Sequence, residues 1–384
     1  MDCAKKINDL GLSFGIWVEP EMINVESNLY KEHPDWTMDI PGKNHAEGRN
    51  QRMLDLANPE VVDYMIASMS NLFASANIAY VKWDMNRIVS DCYSKYLPAK
   101  RQGETLHRYV LGLYRMMDEL TKRFPEILFE GCASGGNRFD LGILCFFPQI
   151  WASDNTDALY RVNGMTGYSY GYPMSVMGAH VSSCPNHQTL RTTPLETRFA
   201  VAAFGVLGYE CNLCDMKKED LEEIRKQIAL YKEWRNVLQY GTFYRGRNAK
   251  IHEWTCVSED KRQAVGMIMQ ELTQPNHPTG QYFPKGLDAS ARYEFTNRSM
   301  RYNILGFGDL VNTVSPVHIK QDSLVHQVLA KCVTMPGETE RYRASGSVLM
   351  AGVKLAQGFA ATGYSEETRY FPDFASRMYF MKQI

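Results

Sequence analysis

IAYVKWDMNR, residues 78–87, begins as an apolar run and ends in a cluster of charged and amide side chains. A short apolar run of this kind is typical of a strand buried in a parallel sheet. Side chains at i and i+2 share one face of a strand, so Tyr80, Lys82 and Asp84 should point together while Trp83 faces helices on the other side. The segment therefore predicts a buried strand that ends in polar groups.

Similar apolar runs recur up to about residue 238, and helical patterns separate most of them. The predicted strands are residues 12–19, 78–84, 126–131, 149–154, 172–178 and 204–210. Asn58 followed by Pro59 is a capping residue before a first-turn proline, which predicts a helix start, and another helix is predicted over 219–238. Strands that alternate with helices predict a parallel sheet.

The clearest helical pattern covers residues 105–124. Its apolar residues recur at steps of four and three, at Leu106, Val110, Leu113, Met117 and Leu120. This spacing places all five side chains on one face of an α-helix.

Two architectures compete for this part of the chain, an open doubly wound sheet and a closed (β/α)8 barrel. An open nucleotide-binding sheet needs a glycine-rich turn, and CASGGNRFDLG at 132–142 matches neither dinucleotide-binding nor P-loop spacing. A barrel builds its active site at the carboxyl ends of its strands. Polar residues follow the predicted strands at Glu19, Asp84, Cys132, Asp154, His180 and Glu210. The sequence therefore favours an α/β fold of the TIM-barrel type.

The pattern changes after residue 240, where short β-rich segments alternate with turns. These segments are residues 241–246, 250–258, 263–272, 291–297, 347–356 and 376–383. They predict a C-terminal antiparallel β-sandwich. We therefore expect two domains, a barrel portion at 1–240 and a β-sandwich at 241–384. Two domains also suit 384 residues, because single cores rarely grow beyond about 250–300 residues.

Composition excludes several classes of protein. A net charge of -1 argues against a nucleic-acid partner, and no apolar run is long enough to predict a membrane span or a signal peptide. The nine cysteines are scattered and odd in number, which is typical of reduced thiols in a cytoplasm. We expect a cytoplasmic protein with no membrane partner.

Asp84 and Asp154 are candidates for acid and nucleophile chemistry. A lysine beside Asp84 would lower the pKa of its carboxyl, as a nucleophile requires, although a structural ion pair at a strand end explains the pattern equally well. Asp154 lies near Asp157 and an aromatic residue, and both favour a protonated acid. Such a pair fits a retaining glycosidase. The residues alone leave other carboxylates open as the second group, namely Glu19, Glu21, Glu130, Asp157 and Glu210.

Several separated motifs resemble glycoside hydrolase family 36, the microbial α-galactosidases. They occur in family order, as GIWVEPEM (15–22), GRNQRMLDLANPEV (48–61), VKWDMNR (81–87), CASGGNRFDLG (132–142), WASDNTDA (151–158) and GAHVSSCPNHQTLRTTPLETRFA (178–200). The terminal FASRMYFMKQ resembles the end of the family's C-terminal β-domain. The resemblance implies a (β/α)8 barrel, a C-terminal β-sandwich and hydrolysis of terminal α-galactosides of the melibiose or raffinose type, with retention of configuration.

The resemblance also implies roles for individual residues. Asp84 would be the nucleophile and Asp154 the acid/base. The galactose ring would be held by Trp17, Arg49, Lys82, Asn86, Cys132 and Gly135. No metal or organic cofactor is implied, and the partner is an α-galactoside oligosaccharide.

The sequence departs from the family pattern at its beginning. Aligned with the family, it starts in the helix before the third barrel strand, so about six βα units are present and the first two strands are missing. The aspartate pair that would bind the galactose 4- and 6-hydroxyls is also absent, since no Asp-Asp occurs. We expect a fragment, a homo-oligomer, or a chain completed by a separate N-terminal polypeptide. A galactosyltransferase of raffinose-synthase type and an inactive carbohydrate-binding protein remain alternatives.

Overall fold

A computed structural model describes residues 2–87, 89–248, 250–273, 280–313, 315–355 and 371–384. The chain forms two compact units, the first ending at Asp154 and the second beginning at Asn155. The strands of the first unit are β1 (Phe14–Val18), β2 (Met22–Asn24), β3 (Gln51–Met53), β4 (Ile78–Trp83), β5 (Leu128–Gly131) and β6 (Gln149–Trp151). Its helices are α1 (Asp2–Asp9), α2 (Asn28–Glu32), α3 (Pro59–Ala74), α4 (Thr105–Arg123) and α5 (Leu141–Leu144).

The first unit is built on four parallel strands in the order β1, β4, β5, β6. Helix α3 begins as the sequence predicts, because the Asn58 side chain accepts the amide of Glu60 and Pro59 follows it. Trp83 of β4 is fully buried, with its ring 5.5 Å from that of Phe147. The strands predicted at residues 12–19, 78–84, 126–131 and 149–154 are all present.

Helix α4 has the predicted extent but a rotated buried face. Leu106 and Val110 are exposed, and the buried side chains are Thr105, Tyr109, Leu113, Met116, Met117 and Leu120. Gly112 lies against the carbonyl of Leu56, where any Cβ atom would clash. Because α4 approaches the backbone of Leu56 at this glycine, its contact face runs through Tyr109 and Met116 instead of Leu106 and Val110.

The second unit contains two more parallel strands, β7 (Met177–Ser182) and β8 (Val206–Glu210), which pair with each other. Helices α6 (Ala158–Tyr168), α7 (Leu195–Ala202) and α8 (Lys218–Tyr240) accompany them. The strand predicted at 172–178 is wrong in position, because Pro173 lacks an amide donor and a 3-10 turn occupies Met174–Val176. His180 therefore lies inside β7 and not at its carboxyl end.

The rest of the second unit is antiparallel. Its strands are β9 (Thr242–Asn248), β10 (Ile251–Val257), β11 (Gln263–Gln270), β12 (Gln281–Tyr282), β13 (Arg292–Asn297), β14 (Arg301–Asn303), β15 (Thr334–Pro336), β16 (Arg341–Ser345), β17 (Val353–Lys354) and β18 (Ser376–Gln383), with helices α9 (Leu324–Leu329) and α10 (Gly346–Met350). Six of the strands form one sheet in the order β16, β13, β18, β11, β10, β9. Tyr282, from the small β12–β17 sheet, stacks on Tyr379 of the large sheet at 5.1 Å.

The C-terminal antiparallel β-domain is thus confirmed, with one local error. The strand predicted at 347–356 is instead α10 followed by the short β17, and residue 356 lies outside the described residues. The Ser345 hydroxyl accepts the amide of Val348 and so starts a helix, which Gly352 ends at a φ of 122°.

Candidate active site

Asp84 is the first residue after β4 and is 6% exposed. Its Oδ2 accepts hydrogen bonds from Asn86 Nδ2 at 2.7 Å and from Trp17 Nε1 at 3.2 Å. Its Oδ1 accepts the Met85 amide at 2.8 Å. Both carboxylate oxygens are therefore held by donors, which fixes the orientation of the group.

The charge of Asp84 is set by these donors. Burial alone would raise the pKa of Asp84, but hydrogen bonds from the Cys132 thiol, from Asn86 and Trp17, and from the Met85 amide hold it below its ordinary value. The lowered pKa of Asp84 agrees with the sequence prediction. The predicted cause, the neighbouring Lys82, is wrong. Lys82 forms its ion pair with Glu130, 3.4 Å away.

Cys132 begins a tight turn that runs to Gly135 directly after β5. Its amide donates to the Trp83 carbonyl at 2.8 Å, and the Ala133 amide donates to the Gly135 carbonyl at 2.9 Å. Burial and the neighbouring Asp84 carboxylate raise the pKa of the Cys132 thiol to about 12. The thiol therefore stays protonated and acts as a donor to Asp84.

Gly135 is needed for two reasons. Its φ is 81°, in the left-handed region that favours glycine. A Cβ atom at this position would also lie 3.0 Å from Ser153 Cα and 3.2 Å from the Asp154 amide nitrogen. The turn that donates to Asp84 thus packs directly against the backbone of Asp154, and it links the two predicted carboxylates.

Asp154 lies in the loop after β6, and its side chain is exposed. Trp151 Nε1 donates to Asp154 Oδ1 at 2.9 Å. The two carboxylates therefore differ in environment, since Asp84 is buried among donors whereas Asp154 reaches solvent.

Trp17 and Arg49 present exposed side chains. Trp17, in β1, donates its indole N–H to Asp84, yet 49% of the residue is exposed. Arg49 is at the tip of a two-residue hairpin closed by Gly48 and Gln51, with φ values of 54° at Arg49 and 58° at Asn50. Positive φ at both tip positions is typical of a type I′ turn and unfavourable for arginine.

Lys82 and Asn86 carry the remaining predicted donors. Lys82 Nζ lies 4.3 Å from the centre of the Trp151 ring. The Asn86 amide donates to Glu19 Oε1 at 2.7 Å, and its side-chain oxygen accepts from the Ser134 hydroxyl at 3.2 Å. Asp84 thus accepts hydrogen bonds from Trp17, Asn86 and Cys132, and Lys82 lies beside Trp151.

The other carboxylates that sequence reasoning left open all have structural contacts. Glu19 accepts from Asn86 and Gln51, Glu21 pairs with Arg138, Glu130 pairs with Lys82, Asp157 caps α6 and pairs with Arg191, and Glu210 pairs with His180. Sequence reasoning noted an aromatic residue near Asp154, but it missed the hydrogen bond from Trp151 and the presence of Ser134 beside Asn86. Trp151 stands within the WASD motif, which was the signal available.

The described ranges contain no group of three His, Cys, Asp or Glu side chains that could hold a metal ion. The absence of a cofactor stays a prediction. No helix among the residues that the structure describes has the length and apolar character that a membrane crossing requires.

Known families account for both parts of the chain. The Melibiase family model matches residues 1–241. The chain belongs to the Melibiase family. The model of the glycosyl hydrolase family 36 C-terminal domain matches residues 251–381. These matches confirm the predicted family, its TIM-barrel type of core and its C-terminal β-domain.

Relatives of this Melibiase-family chain include proteins named as α-galactosidases. It is 48% identical to alpha-galactosidase AgaA of Geobacillus stearothermophilus over 297 residues, which are 76% of this chain and 40% of that protein. It is 46% identical to alpha-galactosidase Mel36A of Lactobacillus acidophilus over 293 residues, 76% of this chain and 40% of the relative. The chain therefore spans less than half the length of these relatives.

Solved structures show the same fold. The crystal structure of AgaA from Geobacillus stearothermophilus matches with a TM-score of 0.83 at 40% identity, covering 100% of this chain and 46% of that one. A variant of AgaA was crystallised in complex with raffinose, and it matches with the same score and coverage. An α-galactosidase from Lactobacillus brevis has a TM-score of 0.82 at 37% identity, covering 99% of this chain and 46% of its own.

Proposed function

We propose that this chain carries the catalytic pair of a retaining α-galactosidase, with Asp84 as nucleophile and Asp154 as acid/base. The observation that carries the proposal is the environment of Asp84, a buried carboxylate whose pKa is lowered by converging donors. A nucleophilic carboxylate must be ionised and fixed before it attacks. The α-galactosidases among its relatives support the substrate class.

The reaction then proceeds in two displacements. Asp84 attacks the anomeric carbon and forms a C–O bond, while Asp154 gives its proton to the departing glycosidic oxygen. Water next attacks the same carbon, Asp154 takes the water proton, and the Asp84 carboxylate leaves. A carboxyl separation of about 5–5.5 Å is required for this outcome.

The donors around Asp84 have a role in both steps. Charge leaves the Asp84 carboxylate when the glycosyl bond forms and returns when it breaks. Donors that stabilise the carboxylate therefore assist the second step, in which Asp84 is the leaving group. Because the Cys132 thiol has a raised pKa, it serves as a neutral donor and not as a competing nucleophile.

The sugar would be held by the exposed groups beside this pair. The half-exposed Trp17 ring offers a flat apolar face to a pyranose. Lys82, Asn86 and Arg49 can donate to hydroxyl groups, and the Cys132–Gly135 turn leaves room near the 2-hydroxyl. Each of these substrate roles is a proposal.

Partners and location form part of the same proposal. We propose the division into residues 1–240 and 241–384, an α-galactoside oligosaccharide substrate, and assembly as a homo-oligomer. All nine cysteines are unpaired, which supports a reducing, cytoplasmic compartment. Light scattering tests the assembly, because a monomer at all concentrations would contradict it.

Hydrolysis of a chromogenic aryl α-galactoside tests the activity. The purified chain should release the aryl group and galactose, and Asp84→Ala should abolish this release. Asp154→Ala should retain more activity on aryl substrates, and added azide should raise its rate because azide needs no general base. Unchanged activity in Asp84→Ala, or none in the parent, would overturn the proposal.

A further inference from the structure

Four side chains lie in one row across the parallel strands of the first unit. Trp17 of β1 is in register with Lys82 of β4, Lys82 with Glu130 of β5, and Glu130 with Gln149 of β6. Residues in register on neighbouring parallel strands point to the same side of the sheet. The row therefore brings a buried carboxylate onto the same face as the proposed sugar-binding residues Trp17 and Lys82.

Glu130 is the centre of this row. It is 1% exposed, and its Oε2 accepts the Tyr80 hydroxyl at 2.5 Å and also the side-chain amide of Gln149. Its Oε1 makes no hydrogen bond within the described residues but faces Lys82 Nζ at 3.4 Å. A buried carboxylate is unfavourable without a counter-charge, so Glu130 holds the Lys82 ammonium in place.

Lys82 connects this network to the acid/base loop. Its ammonium sits 4.3 Å from the centre of the Trp151 ring, a cation–π distance. Trp151 is 2% exposed, and its indole N–H donates to Asp154 Oδ1 at 2.9 Å. The contacts therefore run without a break from Glu130 through Lys82 and Trp151 to Asp154.

We infer that Trp151 is a positioning residue for Asp154, and that Glu130 acts on it through Lys82. The indole N–H occupies Oδ1, which leaves Oδ2 as the oxygen that exchanges the proton with the glycosidic oxygen and with water. The inference rests on the proposed function, and it adds two buried residues, Glu130 and Trp151, that do not touch the sugar.

The dependence of the rate on the leaving group tests this role. A dinitrophenolate leaves with little protonation, whereas a sugar alkoxide needs the acid. Trp151→Phe keeps an aromatic ring under Lys82 but removes the N–H. Its kcat/KM should fall by about 100-fold on melibiose-type substrates, at the lower end of what acid catalysis contributes, and by less than about 3-fold on dinitrophenyl α-galactoside. Equal losses on both substrates would overturn the inference.

Glu130→Gln removes the ion pair with Lys82 and keeps the other hydrogen bonds of this side chain. The glutamine oxygen can still accept from Tyr80 and Gln149, while its amide group faces Lys82 and removes the attraction. In Glu130→Gln, kcat/KM on melibiose-type substrates should fall by about 3- to 10-fold relative to kcat/KM on dinitrophenyl α-galactoside. This is the same direction as in Trp151→Phe. In the double variant with Trp151→Phe the ratio should equal that of Trp151→Phe alone, since Glu130 acts through Trp151. A double variant whose ratio changes by the product of the two single-variant effects would overturn the inference that Glu130 acts through Trp151.

Asp55→Asn is the matched control. Asp55 is also a buried carboxylate of the first unit, but it accepts from Ser94 and the Ala57 amide. Its replacement should leave the ratio of the two substrates unchanged. Loss of folded protein lowers both rates equally, so it does not alter the ratio. A shift in the ratio for Asp55→Asn equal to that for Glu130→Gln would overturn the assignment.

A second measurement does not need activity. In the chain labelled with 15N-tryptophan, six indole N–H signals are expected, and the one lost in Trp151→Phe identifies Trp151. That signal should shift in Asp154→Ala and in Glu130→Gln but not in Asp55→Asn. A signal unmoved in Asp154→Ala would overturn the inference even if the chain proves inactive. Inactivity on both substrates with the shifts present would instead count against the proposed function alone.

Discussion

The Cys132 thiol donates a hydrogen bond to the Asp84 carboxylate, and the turn that follows Cys132 packs against the backbone of Asp154. One short loop thus contacts both proposed catalytic residues. Its geometry depends on a thiol that stays protonated and on a glycine with positive φ, and each can be tested separately.

Cys132→Ala should shift the acidic limb of the pH–rate profile to higher pH. The thiol hydrogen bond is one of the contacts that lower the pKa of Asp84, so removing it raises that pKa. Asp84 is active when ionised, and the variant should lose activity at a higher pH than the parent. Cys132→Ser keeps a donor and serves as the control. An acidic limb that stays in place in Cys132→Ala would contradict this account.

Gly135→Ala should destabilise the chain by about 1–3 kcal/mol, because alanine is strained at positive φ and its Cβ would press on Ser153 and Asp154. Gly164 provides the contrast, since it lies inside α6 with open space around its Cβ position. Gly164→Ala should stabilise the chain by about 0.5–1 kcal/mol. Urea unfolding measures both, and equal changes would refute the argument.

Glu21→Gln should cost about 3–5 kcal/mol of unfolding free energy, since it leaves the Arg138 charge without its partner. Glu21 is fully buried and accepts from Arg138 at 2.6 Å, from Trp83 at 2.9 Å and from Tyr109 at 2.5 Å. The exposed pair Arg225–Glu222 is the comparison, and Arg225→Gln should change stability by less than about 1 kcal/mol. A Glu21→Gln variant as stable as the parent would show that the buried pair is dispensable.

Arg49→Gly should raise stability while weakening substrate binding. Arginine at a φ of 54° is strained by about 1–2 kcal/mol, and glycine removes that strain. If the guanidinium contacts the sugar, KM should rise about 10-fold or more, as expected when a charged hydrogen bond is lost. Arg52→Gln, in the adjacent strand β3, is the control for charge. An unchanged KM in Arg49→Gly would show that Arg49 does not contact the substrate.

Much of the fold follows from the sequence because buried parallel strands are continuous apolar runs, as at residues 78–84 and 126–131. The errors have local causes. The apolar run at 172–178 predicts a strand that begins too early, because Pro173 and the turn after it delay the strand to Met177. Ser345 starts a helix where the β-rich residues predict a strand. The rotated face of α4 depends on the close approach at Gly112, which is a tertiary contact that periodicity does not report.

For the candidate site, the sequence identified Asp84 but misplaced the source of its lowered pKa. Lys82 is two residues away along β4, yet it turns to Glu130 on the neighbouring strand. The actual donors come from β1, from the Cys132 turn and from the residues after Asp84 itself. Only the assembled sheet brings these groups together, so local sequence could not reveal them.

Trapping the glycosyl-enzyme tests the central claim most directly. The chain is incubated with a fluorinated α-galactosyl substrate that carries an activated leaving group, digested, and analysed by mass spectrometry. We predict one galactosyl adduct, on the peptide that contains Asp84, and its absence from Asp84→Ala. An adduct on Asp154 or elsewhere, or turnover of aryl α-galactoside without any adduct at Asp84, would contradict the account.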